Sequence, residues 1–281
     1  MSVSRNAGNT LATVRLVLLA ASLALGSAAA HAQAQPKQEY EPHVGQEGKD
    51  VVWVPTSQAL VDRMLDLGKV TASDYLIDLG SGDGRTVITA VKRGARALGI
   101  EYNPDMVELA KRNAQKEGVG DKAQFRKADL FETDLSEATV ITMFLLPTIN
   151  MKLRPKLLDL RPGTRIVTNS FTMEDWKSDA SATAETGCTS YCTAYLWIVP
   201  AKVDGTWKTP QGELVLRQAF QEFTGNLKGS QPVVVTGGKL NGDRISFRAG
   251  NTRYEGRVNG RTIDGIATTG TNATKWTATR M

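Results

Sequence analysis

The stretch DLGSGDGRT, residues 78–86, decides how this chain is expected to fold. It follows the apolar run YLI (75–77) and leads into VITAVKR (87–93), so a glycine-rich turn joins a buried strand to a helix. Strand-like and helix-like segments alternate around it from residue 51 to about residue 200. Because strands connected through helices pair in parallel, this alternation predicts an α/β fold with a doubly wound, mostly parallel sheet.

Residues that start and stop helices punctuate this region. The apolar residues of SQALVDRMLDL (57–67) share one helical face, and a second helix is expected over 86–93. The helix of NPDMVELAKRNAQKEG (103–118) is capped at its start by Asn103 and stopped by a glycine. A further helical stretch follows the fourth strand and is expected to restart at Pro155.

Seven segments of this region have the apolar, β-rich composition of strands. Helical segments follow the first, second and fourth of them, and this alternation favours parallel pairing. The last two, SATAETGC (181–188) and YCTAYLWIVPA (191–201), have no helix between them, so an antiparallel edge is expected there. The predicted sheet is therefore seven-stranded.

The pattern of apolar residues changes after Val203. Short alternating runs replace the helical period, and LNGDRISF (240–247) recurs as VNGRTIDG (258–265) with an offset of 18 residues. Asn-Gly between alternating apolar residues is a strong hairpin signal. The C-terminal part is therefore expected to form a small antiparallel β meander or barrel, with Trp207 and Trp276 in its core.

The first 32 residues have the pattern of a secretory signal peptide. Two arginines and no acid accompany the apolar run LVLLAASLAL (16–25), and AHA (30–32) matches the cleavage pattern before Gln33. The run is shorter than the ~20 apolar residues of a membrane span. Periplasmic or secreted export is expected, with a mitochondrial transit peptide or an uncleaved anchor as the alternatives. The expected division is signal peptide 1–32, linker 33–50, sheet domain 51–203 and all-β domain 204–281.

Composition excludes several function classes. Removing the two arginines of the signal peptide lowers the formal net charge from +5 to +3, and no Lys/Arg run indicates a nucleic-acid partner. His31 and His43 lie in the predicted signal peptide and linker, so serine–histidine, histidine acid–base and zinc chemistry are not expected. Cys188 and Cys192 suit either a disulfide of an exported chain or two unlinked thiols, and without a neighbouring histidine they make a poor metal site.

The glycine turn indicates what kind of ligand the sheet binds. A dinucleotide site has the spacing G-x-G-x-x-G and holds an anionic pyrophosphate. Here the spacing is G-x-G-x-G, and Asp78 and Asp83 raise the local negative potential. These acids argue against a dinucleotide oxidoreductase and favour a ligand with a cationic centre. S-adenosylmethionine is such a ligand, because it carries an ammonium and a sulfonium and no phosphate.

Acidic residues also close the next two predicted strands. Glu101 ends the second strand, where its carboxylate can accept both ribose hydroxyls, and Asp129 ends the third, where it can accept the adenine amino group. The carboxyl ends of parallel strands meet at one sheet edge, which is where open α/β sheets bind ligands. The residues predicted to bind the cofactor are Asp78, Gly80, Gly82, Asp83, Gly84, Glu101, Asp129 and, flanking the adenine ring, Tyr102 and Leu130.

Residues 51 to about 200 resemble class I, seven-stranded S-adenosylmethionine-dependent methyltransferases. The motifs that carry the resemblance are VPTSQALVDRML, DLGSGDGRTVITAVKRGARALGIEYNP, FRKADLFETDLSEATVITMFLLP and KLRPKLLDLRPGTRIV. They are most similar to a subgroup that includes the mitochondrial protein-lysine methyltransferases of the ATP synthase c-ring and the adenine nucleotide translocase. The resemblance implies a methyltransferase with protein lysine as a candidate acceptor. It covers just over half of the chain and leaves out the C-terminal β region.

The stretch MFLLPTIN after the fourth strand bears on the methyl acceptor. It contains no Asn/Asp-Pro-Pro-Tyr type motif, so amide or nucleobase N-methylation is not supported. Phe144, Leu146 and Pro147 are expected to form an apolar substrate mouth that favours a neutral amine, whereas Leu145 is expected in the core. No residue stands out as a general base. A second hypothesis is an exported binding or cell-envelope protein that has the methyltransferase fold but no turnover.

Overall fold

A computed structural model describes residues 39–281 of the chain. The predicted signal peptide, its cleavage site and His31 lie outside the described residues. Within residues 39–281, no helix is both long enough and apolar enough to cross a membrane.

The central sheet has seven strands in the order β3-β2-β1-β4-β5-β7-β6. Strands β1 to β5 pair in parallel, and β7 lies antiparallel between β5 and β6. The predicted α/β fold, the seven strands and the antiparallel edge are thus confirmed. The strand bounds are β1 Tyr75–Leu79, β2 Arg96–Glu101, β3 Ala123–Lys127, β4 Val140–Met143, β5 Arg165–Asn169, β6 Ala180–Thr183 and β7 Thr193–Ile198.

Four helices accompany the sheet, namely α1 Gln58–Leu67, α2 Arg85–Lys92, α3 Pro104–Lys116 and α4 Pro147–Leu158. The prediction that the fourth helical stretch restarts at Pro155 is wrong, because α4 continues through this proline. Ile149, Leu153 and Leu157 recur every four residues and are all buried. Burying this face outweighs the one hydrogen bond that a proline removes.

Both faces of the sheet are covered. On β1, Leu76 packs with Val61 of α1 and Val87 of α2, whereas Ile77 packs with Leu153 of α4. Successive side chains of a strand point to opposite faces, so apolar residues in succession require a layer on each side. The glycine turn and the other carboxyl ends of the strands are the part of the sheet that these layers leave open to a ligand.

The C-terminal region is a closed antiparallel barrel of eight strands in which each strand pairs with its neighbours in sequence and β15 closes on β8. Trp207 and Trp276 are almost fully buried in its core, as predicted. The strand bounds are β8 Gly205–Thr209, β9 Gly212–Ala219, β10 Glu222–Lys228, β11 Val233–Asn241, β12 Arg244–Ala249, β13 Thr252–Asn259, β14 Thr262–Thr269 and β15 Asn272–Arg280.

The barrel packs on the end of the sheet region that carries Trp176. Phe220 stacks on Trp176 with ring centroids 5.9 Å apart, and Gln221 Nε2 donates to the Lys177 carbonyl at 2.8 Å. Ala201 and Val203 belong to the barrel core although they precede its first strand. Residues 40–281 form one compact unit by their contacts. The division into separate domains at residue 204 stays a prediction.

Candidate active site

One cavity of about 510 Å³ lies at the carboxyl ends of β1 to β4. Most of the side chains that the sequence singled out for the cofactor and the acceptor meet there, although they come from distant parts of the chain. The predicted residues that line it are Asp78, Gly80, Gly82, Asp83, Glu101, Tyr102, Asp129, Leu130, Phe144 and Leu146.

The glycine turn after β1 folds tightly against β2. The backbone N–H groups of Gly80 and Ser81 both donate to the Ile100 carbonyl, at 2.9 and 3.0 Å. Gly80 and Gly82 have left-handed backbones with φ of 74° and 52°, a conformation that glycine adopts without steric cost. A Cβ at Gly82 would lie 2.8 Å from Trp53 Nε1, so this position admits no side chain without displacing the tryptophan.

Gly84 differs from the other two glycines, because it does not line the cavity. Its φ is 85°, and it caps the start of α2. A Cβ there would lie 2.7 Å from the Phe125 ring and 2.9 Å from Ala110. The structure therefore gives Gly84 a packing role between α2, α3 and β3, and its contact with the cofactor stays a prediction.

Glu101 connects the glycine turn to the start of α3. Its Oε2 accepts from the Gly82 N–H at 3.0 Å, and its Oε1 accepts from the Asn103 N–H at 2.9 Å. A carboxylate has about four lone-pair sites, so two remain for hydroxyl donors in the cavity. The residue predicted to bind ribose thus also holds the turn in place.

Asp78 is the most deeply buried acid of the cavity, with 5% of its surface exposed. Burial raises the pKa of its carboxyl to about 7, and the negative charges of Asp83 and Glu101 act in the same direction. Thr142 Oγ1 donates to it at 2.6 Å and partly offsets this effect. A cation placed beside Asp78 would favour its charged form and lower this pKa.

Asp129 already has a partner in the structure. Lys49 Nζ lies 2.6 Å from its Oδ2, and the hydrogen bond from Lys49 holds the pKa of Asp129 below its ordinary value. The same ammonium sits 4.4 Å from the centroid of the Tyr102 ring. Asp129 and Tyr102, two of the three residues predicted to contact adenine, are therefore bridged by a lysine that the sequence did not point to.

Residues 46–56 form a strap along the cavity that the sequence analysis missed. The backbone N–H of Trp53 donates to the Gln46 carbonyl at 2.9 Å, and the Gly45 N–H donates back to the Trp53 carbonyl at 2.8 Å. Residues 46–50, which end the predicted linker, line the site together with residues 51–56. The apolar residues of the strap, within 51–55, follow no helical or strand period, and only long-range contacts place the strap.

The acceptor side of the cavity is aromatic. Phe144 follows β4, as expected of the substrate mouth, and two rings that the sequence did not single out, Phe171 and Tyr191, join it. Leu146 is 43% exposed at the mouth, and Leu145 is buried in the core as expected. The mouth is therefore apolar, and it draws its rings from three separate parts of the chain.

The structure also places the predicted mouth residue Pro147 and the two cysteines. Pro147 is exposed at the start of α4 and does not line the cavity, because the chain turns outward into the helix there. Cys188 and Cys192 are joined by a disulfide in the loop between β6 and β7, next to Tyr191. The chain contains no other cysteine.

The comparisons with known proteins agree with this geometry. The ANTKMT methyltransferase domain family matches residues 78–180. A protein-lysine N-methyltransferase of Saccharolobus islandicus is 41% identical over 163 residues, which are 57% of this chain and 96% of that enzyme. The crystal structure of an RNA methyltransferase from Salinibacter ruber in complex with S-adenosyl-L-homocysteine is 49% identical with a TM-score of 0.50, and the match covers 53% of this chain and 96% of that one.

This chain is an S-adenosylmethionine-dependent methyltransferase. It belongs to the family of the Saccharolobus enzyme, as the resemblance in the sequence implied. The adenine nucleotide translocase lysine N-methyltransferase of Mus musculus is 33% identical over 129 residues, which are 45% of this chain and 56% of that enzyme. A large part of this chain therefore lies outside each of these matches.

The donor set of the cavity suits the cofactor of this family. Six carboxylates and two cationic side chains line it, which favours a ligand with a positive centre. Its volume lies within the ~300–1,000 Å³ of typical small-molecule sites. Among residues 39–281, no cluster of three His, Cys, Asp or Glu side chains is arranged to hold a metal ion. The six carboxylates belong to Glu47, Asp50, Asp78, Asp83, Glu101 and Asp129, and the cations to Lys49 and Arg85.

Proposed function

We propose that the methyltransferase modifies the side-chain amine of lysine in a protein. The observation that carries this proposal is the pairing of an acid-lined cavity with an apolar, aromatic mouth. A negative potential attracts a cationic lysine and repels the phosphates of RNA. The name of the Saccharolobus relative supports the same acceptor.

We assign the cofactor to the glycine-turn half of the cavity. Asp78 faces its ammonium, the backbone of the glycine turn lies beside its methionine moiety, and Glu101 accepts from its ribose hydroxyls. Asp129, once released from Lys49, accepts from the adenine amino group. When bound, S-adenosylmethionine supplies an activated methyl group, so that the acceptor nitrogen forms a new N–C bond while the S–C bond breaks and its electron pair stays on sulfur.

The chain's own contribution to the reaction is to position the amine and to keep it neutral. A lysine amine has a pKa of about 10.4 in water, and its lone pair is available only after it loses a proton. Burial among Phe144, Leu146 and Ile149 lowers this pKa, because an apolar surrounding disfavours the charged form. His43, the one histidine of residues 39–281, is exposed and does not line the cavity, so we assign release of the proton to water.

Methyl transfer to a whole proteome tests the acceptor. The purified chain is incubated with radiolabelled S-adenosylmethionine and either a protein extract or total RNA from the same cells. Label in protein, located on lysine by mass spectrometry, is the expected result. The Salinibacter neighbour is described as an RNA methyltransferase, which makes RNA the second candidate. Label in RNA with none on lysine would refute the proposal.

We further propose that the enzyme is exported from the cytosol and processed before Gln33. The arginine-bearing, acid-free segment with its apolar run and AHA site supports this, as does a disulfide between the only two cysteines. N-terminal sequencing of the native protein from separated cell fractions tests it. A chain in the cytosol that still begins at Met1 or Ser2 would contradict export.

A further inference from the structure

We infer that Phe144, Phe171 and Tyr191 form a binding site for the aliphatic stem of the acceptor lysine, and that the Cys188–Cys192 disulfide holds this site together. The inference rests on the proposed lysine acceptor and extends it to the residues that recognise it. We call the three rings the aromatic triad.

The triad brings together three separate parts of the chain. Phe144 follows β4, Phe171 follows β5, and Tyr191 lies in the loop between β6 and β7. Their ring centroids are 5.2 Å apart for Phe144 and Tyr191, 5.9 Å for Phe171 and Tyr191, and 6.0 Å for Phe144 and Phe171. All three line the cavity that holds the glycine turn. The triad therefore forms one continuous apolar wall of the cavity that the acids of β1 and β2 also line.

Each ring has its own support. The Phe171 carbonyl accepts from Thr168 Oγ1 at 2.5 Å and from Asn150 Nδ2 at 3.5 Å, and both donors belong to buried residues. Phe144 directly follows Met143, which is fully buried at the end of β4. The backbone that carries these two rings is thus fixed by the core of the sheet.

Tyr191 depends on a different support. It is 46% exposed, has a left-handed backbone with φ of 55°, and stands next to Cys192 in a loop whose other residues are mostly exposed. A non-glycine residue in this conformation persists only where its surroundings hold it. The disulfide closes the short loop around Tyr191, so we assign to it the role of keeping this ring against Phe144 and Phe171.

The spacing of the rings restricts how a ligand can bind. Because the three rings already contact one another, a nucleobase cannot insert between any two of them and could only stack on their outer faces. An unbranched alkyl chain instead packs along such a wall, as lysine stems do when they cover apolar surface while the amine reaches a polar region. Here the polar region is the acid-lined half of the cavity, where the methyl group is delivered.

The inference predicts a separation between acceptor recognition and cofactor binding. Breaking the disulfide, or removing the Tyr191 ring, should loosen the acceptor site. It should leave the glycine turn and Glu101 untouched, because no atom of the loop takes part in their hydrogen bonds. If the loop had a merely structural role, the same changes would lower the affinity for the acceptor and the affinity for the cofactor together.

The test compares Tyr191→Ala, the double variant C188S/C192S and the wild type with and without dithiothreitol. Binding of Nα-acetyl-lysine amide and of Nα-acetyl-norleucine amide, which has the same four-carbon stem without the amine, is measured by ligand-observed NMR in the presence of S-adenosylhomocysteine. We expect Tyr191→Ala and reduction to weaken both probes on the order of fivefold, the scale of one aromatic contact. S-adenosylhomocysteine affinity by calorimetry should change less than about twofold and serves as the control for folding.

The double variant is the matched control for the reductant. Dithiothreitol should have no further effect on it, because the chain has no third cysteine. With a lysine-containing substrate, the KM for the acceptor should rise in Tyr191→Ala and in the double variant by about as much as the dissociation constants of the two probes. The affinity for S-adenosylhomocysteine should stay unchanged.

Three outcomes bear on the inference differently. Unchanged probe binding and an unchanged acceptor KM in Tyr191→Ala, in an enzyme that methylates lysine, would overturn the triad and leave the proposed function standing. Displacement of the probes by uridine or adenosine monophosphate would overturn it in favour of a nucleobase site. Triad-dependent binding of norleucine amide, in an enzyme that methylates no lysine, would support the alkyl site and refute the proposed function.

Discussion

Replacing Glu101 by alanine tests the cofactor assignment most directly. In the structure this carboxylate accepts from two backbone N–H groups, one in the glycine turn at Gly82 and one at Asn103. The substitution removes both acceptors and the two lone-pair sites that we assign to the ribose hydroxyls. It leaves the strand itself intact, because the backbone pairing of β2 with β1 and β3 does not involve the side chain.

The expected loss follows from the kind of hydrogen bond involved. Bonds to a charged acceptor contribute about 1.5–3 kcal/mol each, and leaving the Gly82 N–H unpartnered adds disorder in the turn. We expect Glu101→Ala to weaken S-adenosylhomocysteine binding by about 1.5–3 kcal/mol, or roughly 10- to 150-fold. Glu101→Gln should lie closer to alanine than to wild type, because an amide presents only one acceptor oxygen to two N–H donors.

Isothermal titration calorimetry with S-adenosylhomocysteine provides the measurement, with thermal unfolding as a check on folding. Glu108→Ala is the matched control, because Glu108 is an exposed glutamate on the neighbouring helix α3 whose one ion pair is with Lys111. The control should bind like the wild type, since exposed pairs contribute little. A folded Glu101→Ala protein with wild-type affinity would remove Glu101 from the site and refute the assignment of the glycine turn.

Four further predictions use other parts of the structure. Burial raises the pKa of Asp78 from 3.8 to about 7, so between these pH values the folded state holds a proton that the unfolded state releases. The free energy of unfolding should therefore fall as pH rises from about 4 to 7. In pH-dependent denaturation, Asp78→Asn should abolish this fall and stabilise the protein at pH 8 by at most roughly 4 kcal/mol. Lys49→Ala should free Asp129 and tighten S-adenosylhomocysteine binding at most a few-fold in calorimetry, and weaker binding would mean that the lysine contacts the ligand instead. Gly84→Ala should lower the thermal unfolding temperature more than Gly118→Ala, because both glycines have left-handed backbones but a Cβ has space only at Gly118. Equal losses would show that crowding against Phe125 does not affect stability. Truncation after Lys202 should expose Trp176 and reduce stability. It should leave the affinity for S-adenosylhomocysteine within a few-fold of wild type, because no barrel residue lines the cavity. Complete loss of binding in a folded truncated protein would make the barrel part of the site.

Much of the site could be predicted because parallel strands bring their carboxyl ends to one edge. The helix–strand alternation predicts that Asp78, Glu101 and Asp129 meet, because each lies at the carboxyl end of a parallel strand, and all three line the cavity. The glycine turn followed from local backbone chemistry, since its left-handed conformations at Gly80 and Gly82 suit glycine. The Asn-Gly turns predicted the antiparallel barrel for the same local reason.

The sequence pattern could not show which residues approach one another without a periodic element between them. The strap of residues 46–56 has no period, and its position over the cavity arises from contacts such as that of Lys49 with Asp129, 80 residues away. The role of Gly84 depended on how closely α2, α3 and Phe125 pack, which is a property of the assembled layers.

The sequence by itself determined the fold class, the cofactor and the acids that line the cavity, because each follows from local patterns repeated along one sheet edge. Only the tertiary structure decided the acceptor side. Phe144, Phe171 and Tyr191 come from the ends of different strands and a disulfide-closed loop, and they share no spacing that a sequence pattern could reveal. Their contact is set by the order β4-β5-β7-β6, in which the last strand pair turns back and returns its loop to the cavity.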